Sequence, residues 1–376
     1  MLYGSSNGVI TNIENCYNYG NINITGTKRK SDIGGIVGYF AGKTITSCIN
    51  EGEISLTGAH NTANNSGGIV GFNSGLIKNC ENKARIEAKN TVSDYTNGTC
   101  YSNAGGIVGY NIKMVQDSTN IGEIYSLAGN GCAQAGSGGI VGMNRSEDAI
   151  IDNCTNEGYV KIEGYGQYPE GHAGGICGYN RFGKINLTKN LGDVEGYIIG
   201  GICGGTGHGG VIISNSYNAG HINGKRIASG ILGEQERVYT SEENKHYAKI
   251  YNCYNMGELS GTSYGITMMD NAGTNIIILE NCYNIANATY GICKIGNSDL
   301  TLKNLYYLDT SSNKGMESED IFPKTEEFMK SQAFVDLLNE NVTTNNTGNH
   351  EELWNYWAMD TENVNNGYPI FRESKN

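Results

Sequence analysis

Residues 67–88 read GGIVGFNSGLIKNCENKARIEA and contain one complete copy of a repeat that runs through most of the 376-residue chain. The repeat has two recognisable halves, a GGIVG segment and an Asn-Cys-x-Asn segment, and the unit recurs about every 24 to 38 residues. A fixed period of this length is typical of proteins in which each unit packs only against its neighbours. Copies of the GGIVG half begin at Gly34, Gly67, Gly105, Gly138, Gly174 and Gly200, and shorter copies begin at Gly230, Gly265 and Gly291.

Each unit contains three short apolar segments, which in the quoted copy are residues 68–72, 76–80 and 84–88. Gly, Asn and Ser separate them, which is the pattern of short strands joined by turns. Equivalent positions at a fixed phase stack naturally when successive coils run parallel, one over the next. The sequence therefore predicts an all-β fold, a right-handed parallel β-helix with three sides and about nine to ten coils over residues 1–310. Such a rod is on the order of 45 Å long.

An asparagine lies two residues after the cysteine position in all nine copies of the second half. Amide side chains stacked at strand spacing can donate to and accept from their neighbours in an unbroken ladder. The alternative is that these asparagines are turn residues that tolerate a left-handed backbone. Both interpretations are structural. The column consists of Asn18, Asn50, Asn82, Asn120, Asn156, Asn190, Asn218, Asn255 and Asn284.

The chain has 11 cysteines and no CxxC pair. The repeat cysteine exchanges with Ser118, Thr188 and Ser216, which indicates a small interior position and not a bond-forming one. Only Cys100 and Cys132 fall in loops, where a disulfide between adjacent coils is an alternative to the free thiols that we favour. Three more cysteines replace the valine of the first half as fillers of similar size: Cys177, Cys203 and Cys293.

The coils differ mainly in insertions between the second half of one unit and the GGIVG half of the next. Because the insertions share a phase, we expect them to project from one edge of the solenoid in a row. They carry tyrosine and histidine among Gly, Ser and Asn, a mixture that suits glycan or protein contact; the alternative is solvated loops without a ligand. The insertions span residues 26–32, 58–66, 89–104, 127–137 and 164–173, and the candidate ligand-binding residues are His60, Tyr95, Tyr101, Tyr165, Tyr168 and His172.

The repeat pattern ends before residues 311–376, which we predict to be a capping segment. Apolar residues at helical spacing predict one amphipathic helix over about 325–341. Together with the aromatic residues that follow, this helix is expected to cover the open end of the solenoid, where unpaired strand edges would promote aggregation. The apolar residues of this segment are Phe328, Phe334, Val335, Leu337, Leu338, Trp354, Trp357, Tyr368, Pro369, Ile370 and Phe371.

The charge balance of the chain limits the classes of partner that it can bind. The formal net charge is −12, from 38 acidic and 26 basic residues, which opposes binding to nucleic acid and to anionic membranes. No stretch approaches the roughly 20 apolar residues of a membrane span, and the start of the chain lacks the features of a signal peptide. We therefore expect a fragment of a larger protein with further domains.

The sequence predicts no cofactor and no metal. The GGxGxD repeat of calcium-binding solenoids does not occur in it, and the six histidines lack ligand spacing. The HExxH zinc helix and the GxSxG nucleophile elbow do not occur either.

The two halves resemble a known family. GGIVGYN at residues 105–111 and IENCYNYGNI at residues 13–22 are similar to the GLUG-motif repeats. The resemblance covers roughly residues 9–295, and residues 354–370 look like the segment that often ends such arrays. It implies a large secreted or wall-attached protein of gut or oral bacteria, a group that includes adhesin-like proteins and immunoglobulin A peptidases. The motif itself carries no catalytic residues.

Two functions from different classes remain. The first is a non-catalytic surface module, a stalk or an adhesin-like segment that binds host glycan or protein through the loop edge. The alternative is a polysaccharide lyase or glycoside hydrolase, which needs carboxylates or basic groups on adjacent coils. The column two residues before the cysteine position alternates in charge and polarity like a solvated face, which favours the first. That column reads Glu14, Thr46, Lys78, Gln116, Asp152, Asn186, Ser214, Tyr251, Glu280 and Lys303.

Overall fold

The computed structural model confirms a three-sided parallel β-helix. Every strand pair in its three large sheets is parallel, and equivalent residues of successive repeats lie opposite each other, as Val70 lies opposite Val37 and Val108. We name the nine-stranded sheet side A, the 19-stranded sheet side B and the 14-stranded sheet side C. The structure describes residues 12–27, 29–59, 63–92, 100–130, 135–164, 171–207, 209–235, 247–268, 276–294, 299–312, 318–348 and 352–372.

Side A is built from the second part of each GGIVG half. Its strands start at the buried valine position and end near the next corner. Among the described residues they are Val37–Phe40, Val70–Asn73, Val108–Asn111, Val141–Arg145, Cys177–Arg181, Cys203–Thr206, Leu232–Gln235, Thr267–Met268 and Cys293–Lys294.

Side B carries the segment around the cysteine position. In most coils a left-handed residue divides it into a three-residue and a two-residue strand, whereas the last coils run through without a break. In the described part of the chain its strands are Asn12–Glu14, Tyr17–Asn18, Thr44–Thr46, Ile49–Asn50, Leu76–Lys78, Glu81–Asn82, Met114–Gln116, Thr119–Asn120, Ile150–Asp152, Thr155–Asn156, Lys184–Asn186, Lys189–Asn190, Val211–Ser214, Tyr217–Asn218, Tyr247–Tyr251, Tyr254–Asn255, Ile276–Asn284, Asp299–Leu308 and Ile321–Lys324.

Side C contains two strands from each of the first five coils, and these strands take up both ends of each predicted insertion, as Ala63–Gly67 takes up the end of residues 58–66. The predicted bounds of the insertions were therefore too wide. Val194–Gly200 and Ile222–Ser229 pair continuously across this position with one shift of register. Its described strands are Ile22–Thr27, Ser31–Gly34, Ile54–Gly58, Ala63–Gly67, Ile86–Asn90, Tyr101–Gly105, Ile124–Ala128, Gly136–Gly138, Val160–Gly164, His172–Gly174, Val194–Gly200, Ile222–Ser229, Leu259–Ser260 and Ser263–Tyr264.

The asparagine column forms the predicted ladder. In each step the Nδ2 of one asparagine donates to the Oδ1 of the next at 2.7–2.8 Å, from Asn18 to Asn284. The second Nδ2 proton goes to the carbonyl two residues on, for example from Asn120 to Gly122 at 2.9 Å. Asn50 and the ladder asparagines up to Asn284 are buried. The amides therefore satisfy one another inside the protein, as buried polar groups must.

The left-handed interpretation of these asparagines is wrong. The residues with positive φ lie three positions earlier, directly before the cysteine position, as at Asn79 and Asn153. Asparagine tolerates this conformation because its side chain can bond locally. The full column is Asn15, Ser47, Asn79, Asp117, Asn153, Leu187, Asn215, Asn252, Asn281 and Asn304.

The two halves of the repeat meet at the second glycine of GGIVG. A Cβ on Gly68 would lie 2.1 Å from the carbonyl oxygen of Gly106 and 2.6 Å from the side chain of Asn82. Any larger residue in place of Gly68 would displace Asn82, the ladder asparagine of the same coil. The glycine and the asparagine recur together because each occupies the space that the other leaves.

The cysteine columns are structural, as predicted. Nine cysteines of the described part of the chain carry free thiols, and eight of these are buried in the apolar core. Burial raises the pKa of Cys154 to about 12, so this thiol stays protonated and unreactive. Cys100 is different, because it is buried and disulfide-bonded. Our preference for a free thiol at Cys100 was wrong, and Cys132 lies outside the described residues.

The C-terminal residues form two helices and not one. The first helix, Glu326–Met329, ends at its C-cap Lys330, and Ser331 caps the second, Gln332–Thr347, by accepting a hydrogen bond from the backbone N–H of Phe334. Short strands Trp357–Ala358 and Ile370–Phe371 then pair antiparallel. We call residues 326–348 and 352–372 the C-terminal arm.

As far as the structure describes it, the C-terminal arm packs against the side of the solenoid and not over its end, so that prediction was wrong. It lies along the outer face of side B, where the indole Nε1 of Trp357 donates to Asn252 at 2.8 Å and Lys184 pairs with Glu352 at 2.6 Å. The reason is apolar area: the last coils carry a stacked outer column of tyrosines, which the arm buries. This column is Tyr217, Tyr254, Tyr283 and Tyr306.

Candidate ligand-binding surface

The predicted insertions do share one edge. The strands that precede them pair in register with one another on side C, and so do the strands that follow them. The two ends of each insertion therefore lie in a row along the solenoid. Four of the six candidate loop residues, His60, Tyr95, Tyr165 and Tyr168, lie outside the described residues.

His172 is not an exposed loop residue. It begins strand His172–Gly174, is 2% exposed, and its ring lies 5.1 Å from that of Tyr179. Burial, with a smaller contribution from the Arg226 charge, lowers the pKa of His172 to about 4. Neither ring nitrogen has a hydrogen-bond partner among the described residues. His172 is therefore neutral at physiological pH and too enclosed to contact a ligand.

Tyr101 lies at the start of strand Tyr101–Gly105 and is half-buried. It lies near a surface that sequence reasoning missed, on the outer side of side A next to the loop edge, where it acts electrostatically on Tyr110. The central feature of that surface is an aromatic column, Tyr39, Phe72 and Tyr110, held in register on three successive strands. The rings stack with centroid distances of 4.8 Å and 5.2 Å.

Only part of this column is accessible. Tyr39 is 39% exposed and Phe72 and Tyr110 are half-buried, whereas Met143 and Tyr179, which continue the column, are at most 1% exposed. Stacked rings on paired strands have little freedom left to lose when a ligand binds. The accessible end is therefore a preorganised apolar surface.

Cations line the same column. The Nζ of Lys30 lies 4.5 Å from the ring centroid of Phe72 and 5.8 Å from that of Tyr110, which is within the range of a cation–π interaction. Lys30 also pairs with Asp32 at 3.6 Å, and Asp32 accepts a hydrogen bond from Asn65 at 2.6 Å. This end of the surface thus combines an ammonium group with an apolar ring.

Two arginines continue the surface beyond Tyr110. Arg145 and Arg181 lie opposite each other at the ends of adjacent strands, and both are partly exposed. Burial raises the pKa of Tyr110, while a hydrogen bond and the charge of Arg145, and more weakly the charge of Arg181, oppose that rise. We define the aromatic surface as Lys30, Tyr39, Phe72, Tyr110, Arg145 and Arg181.

A signal for this surface was present in the sequence. The residue two positions after the valine of GGIVG is Tyr39, Phe72, Tyr110, Met143 and Tyr179 in successive repeats. It was overlooked because it stands inside the repeated motif and not in an insertion. Only a column comparison of outward-facing motif positions would have found it.

The outer face of side C carries three acidic residues, with Glu87 and Glu195 in one column and Glu163 in the next. Glu87, Glu163 and Glu195 lie there, but all are compensated: Lys89 pairs with Glu87 at 2.6 Å, and Lys161 pairs with Glu163 at 2.9 Å and with Glu195 at 3.4 Å. Hydrogen bonds lower the pKa of Glu163, chiefly from Lys161, and of Glu195, chiefly from Tyr159. These two carboxylates are therefore ionised and are not poised as general acids.

The column that we predicted to be a solvated face is only partly so. Lys78 lies on it and is partly exposed, but Tyr251 packs against Trp354 of the C-terminal arm, with ring centroids 5.8 Å apart. Burial raises the pKa of Asp152, which accepts a hydrogen bond from Asn186 at 2.9 Å. These contacts join one coil to the next and the C-terminal arm to side B.

A shallow cavity of about 410 Å³ lies near the C-terminal end of the solenoid. It has no titratable lining residue, which makes it a poor candidate for acid–base chemistry. Its lining consists of Leu259, Ser263, Asn287, Ala288, Thr289, Thr310, Ser311 and Ser312.

Within the described residues, no group of three or more His, Cys, Asp or Glu side chains is arranged to hold a metal ion. None of the described helices is long and apolar enough to cross a membrane.

Comparisons with known proteins add little beyond the fold. A scan against models of protein families finds no match, and a search of curated proteins finds none either. Among solved structures, a candidate immunoglobulin A1 protease from Bacteroides ovatus is similar at 18% sequence identity and a TM-score of 0.37, with 88% of this chain and 78% of that chain covered. Similarity at this level carries no argument about function, so the fold rests on the strand pairing described above.

Proposed function

We propose that this chain is a non-catalytic, adhesin-like module of a bacterial secreted or cell-surface protein, of the GLUG-repeat type, that binds host glycan or protein beside its loop edge. The observation that carries the proposal is the aromatic surface. Aromatic side chains at fixed spacing, with cations around them, offer large contact area at low entropic cost. The scaffold behind them is a fully paired sheet, which holds the spacing constant.

The disulfide at Cys100 supports the extracellular location. Disulfides persist in oxidising compartments and are rare in the bacterial cytosol. Eight of the nine free thiols are buried in the core, where they are shielded from exchange. One loop disulfide beside a column of protected thiols is consistent with a protein that folds and works outside the cell.

The enzyme alternative has one observation in its favour, the carboxylates of Glu87, Glu163 and Glu195 on one face. Glycoside hydrolysis requires one carboxyl group that is protonated and one that is ionised. The hydrogen bonds that lower the pKa of Glu163, chiefly from Lys161, and of Glu195, chiefly from Tyr159, favour two ionised groups instead. A structural charge network on this face therefore accounts for these residues better than catalysis does.

The test is a binding screen of the purified chain against glycans and host surface proteins, with Phe72→Ala as the variant. We expect a ligand whose binding the variant weakens at least about tenfold, with unchanged thermal stability. Tyr19→Ala is the matched control, because Tyr19 is 71% exposed and directly follows strand Tyr17–Asn18 of side B, outside the aromatic surface. Equal binding by the wild type and Phe72→Ala, or turnover of a polysaccharide, would overturn the proposal.

A further inference from the structure

We infer that this chain forms an antiparallel, side-by-side dimer, in which the C-terminal arm of each copy packs on the first five coils of side B of the other copy. The inference goes beyond the proposed function and does not depend on the identity of the ligand. It is carried by the outer residues of side B and by the length of the arm along it.

The first step compares two outer positions of side B, which lie one and three residues after the cysteine position. In the coils that the arm covers, both positions are aliphatic or aromatic, as are Tyr254 and Met256, which pack in one cluster with the aromatic residues of the arm. The other covered pairs are Tyr217 and Ala219, Tyr283 and Ile285, and Tyr306 and Leu308. In the coils between the first coil and these, at least one of the two positions is polar. The pairs are Ile49 and Glu51, Glu81 and Lys83, Thr119 and Ile121, Thr155 and Glu157, and Lys189 and Leu191.

The first coil has the residue pair of a covered coil but no described segment over it. Tyr17 and Tyr19 occupy the two positions, are 55% and 71% exposed, and stack with ring centroids 6.2 Å apart. The equivalent Tyr254, under the arm, is only 2% exposed. The first coil is therefore suited to a second segment of the same kind as the arm.

The second step is the length of the arm. Its described contacts with side B extend from the coil of Lys184, which pairs with Glu352, to the coil of Tyr306, whose ring packs edge-on against Phe334. This span is about as long as the five coils before it. We call the outer face of side B in those five coils the bare half, and its coils carry Tyr17, Ile49, Glu81, Thr119 and Thr155.

The equal lengths allow a reciprocal contact. A two-fold axis perpendicular to the solenoid, placed at the near end of the arm, lays each arm along the bare half of the other copy. Such a contact uses the same surface on both copies and is closed, which is the commonest symmetry of protein dimers.

The third step concerns the residues that this axis brings together. With the axis between the coils of Thr155 and Lys189, Ile121 faces the coil that holds Asn215 in the other copy. There the side chain of Asn215 donates to the carbonyl of Leu353 at 2.9 Å, and Leu353 is 73% exposed. Ile121 is 42% exposed, so two exposed aliphatic side chains lie on opposing surfaces.

The tyrosine pair of the first coil faces the far end of the other arm. Val364 lies there, 58% exposed, beside Asn365, whose Nδ2 donates to the hydroxyl of Tyr283 at 2.8 Å. Tyr17 and Tyr19 are the outermost residues of the bare half, and the coil of Tyr283 is among the last under the arm. The exposed apolar residues of the bare half and of the arm therefore meet when the two solenoids lie antiparallel.

The area of contact is large enough for a stable dimer. Five strands at about 4.8 Å, and the eight residues from Asn12 to Tyr19 at about 3.3 Å, give the bare half about 600 Å². Each copy contributes one bare half and one arm, hence up to about 1,200 Å², whereas a stable interface needs about 800 Å² per partner. Charges of the bare half also compensate each other in part, since Lys83 pairs with Glu51 at 3.2 Å and with Glu81 at 3.5 Å.

Sedimentation velocity of the chain at up to about 100 µM measures the association. We expect a monomer–dimer equilibrium for the wild type. Tyr17→Glu should raise the dissociation constant at least about tenfold, because it places an unpaired charge in the contact. Asn23→Glu is the matched control, since it adds the same charge to the same coil at an exposed position of side C and should leave the dimer unchanged.

A mixing experiment tests the pairing of arm and bare half. Val364→Glu disrupts the arm and Tyr17→Glu disrupts the bare half, so each variant alone should be largely monomeric. In a mixture, one intact arm meets one intact bare half, and we expect more dimer than in either variant alone. Thermal unfolding should match that of the wild type for both variants, because both positions are exposed, and so shows that the chains are folded.

A wild type that stays monomeric at about 100 µM, or a dimer that Tyr17→Glu leaves intact, would overturn the inference. A mixture with no gain over the single variants, or equal loss of the dimer in Asn23→Glu and Tyr17→Glu, would overturn it as well. The proposed function fails separately, because Phe72→Ala should still dimerise, whereas Tyr19→Ala should dimerise less and keep its ligand.

Discussion

The ladder of asparagines and the aromatic surface occupy the same coils but follow opposite rules. Inside, all nine positions from Asn18 to Asn284 carry the same residue, because each amide is both donor and acceptor for the next. Outside, the column that begins Tyr39, Phe72, Tyr110 changes from coil to coil, and nothing in the stack requires identity. Inner positions that carry the same residue in every coil are therefore those that the fold requires. Outer positions that vary from coil to coil are those at which a ligand can be selected.

The largest loss of stability is expected from Asn120→Ala, in the middle of the asparagine ladder. The substitution removes the partner that Asn120 supplies to a buried Nδ2 proton of Asn82 and to the carbonyl of Gly122, and it leaves the Oδ1 of Asn156 with only the 3.3 Å bond from the backbone N–H of Gly158. Each unsatisfied group costs about 1–3 kcal/mol, so we expect the free energy of unfolding to fall by about 4 kcal/mol. Urea denaturation followed by circular dichroism measures it.

Asn18→Ala is the control at the end of the ladder, where the side chain is partly exposed and has one ladder neighbour. We expect a loss of about 1 kcal/mol. Equal losses at Asn18 and Asn120 would mean that the amides do not act as a continuous ladder.

A second substitution, Cys100→Ser, removes the disulfide that involves Cys100. We expect a loss of about 2–4 kcal/mol, because removing a disulfide frees the unfolded chain. Cys154→Ser should cost about 1 kcal/mol, since the equivalent position of the preceding coil already holds Ser118. Thermal unfolding with and without a reducing agent separates them: reduction should destabilise the wild type and leave Cys100→Ser unchanged.

The pH dependence of stability tests the environment of His172, which lies beside the outer surface but is as buried as a core residue. Its pKa is about 4 when folded and about 6.5 when unfolded. Below pH 6.5 the unfolded chain therefore binds a proton that the folded chain does not, and stability falls as pH drops toward 4. Between pH 7 and pH 5 we expect this residue to remove about 2 kcal/mol.

The measurement is the difference in unfolding free energy between wild type and His172→Leu at the two pH values. The carboxylates contribute equally to both proteins, so they cancel in the difference. An identical pH dependence of the two proteins would show that His172 titrates normally and is not enclosed.

The smallest effect on stability should come from the ligand side. Arg145 is partly exposed and forms no ion pair with described residues, so Arg145→Gln should change the free energy of unfolding by less than about 0.5 kcal/mol. Denaturation of this variant beside Asn120→Ala measures the contrast directly. A loss comparable to that of Asn120→Ala would make Arg145 a structural residue and remove the distinction between the two columns.

The sequence predicted well what repeats. The ladder, the buried thiols and the shared edge of the insertions all follow from columns at fixed phase, since parallel coils place equivalent residues over one another. The aromatic surface could not be predicted in the same way. Arg145 and Arg181 become neighbours only through the strand register, and the position of Tyr110 looked like part of the repeat.

The position of the C-terminal arm was predicted wrongly for a related reason. Its helices have apolar faces, but the surface that receives them is formed by residues that are distant in sequence, such as Tyr217 and Asn252. The signal was the appearance of tyrosine directly after the cysteine position in the last coils, where middle coils have Glu81, Thr119 or Lys189. The apolar face of the helix therefore packs on that tyrosine column and not on the end of the solenoid.

The central claim is that equivalent residues of successive coils lie over one another. Spin labels at Tyr17 and Lys189, two exposed positions of one column separated by five strand pairings, test it by pulsed electron resonance. Five spacings of about 4.8 Å predict a backbone separation of about 24 Å. A narrow distribution near that distance would support the account, and one centred well beyond it, or spread widely, would contradict it.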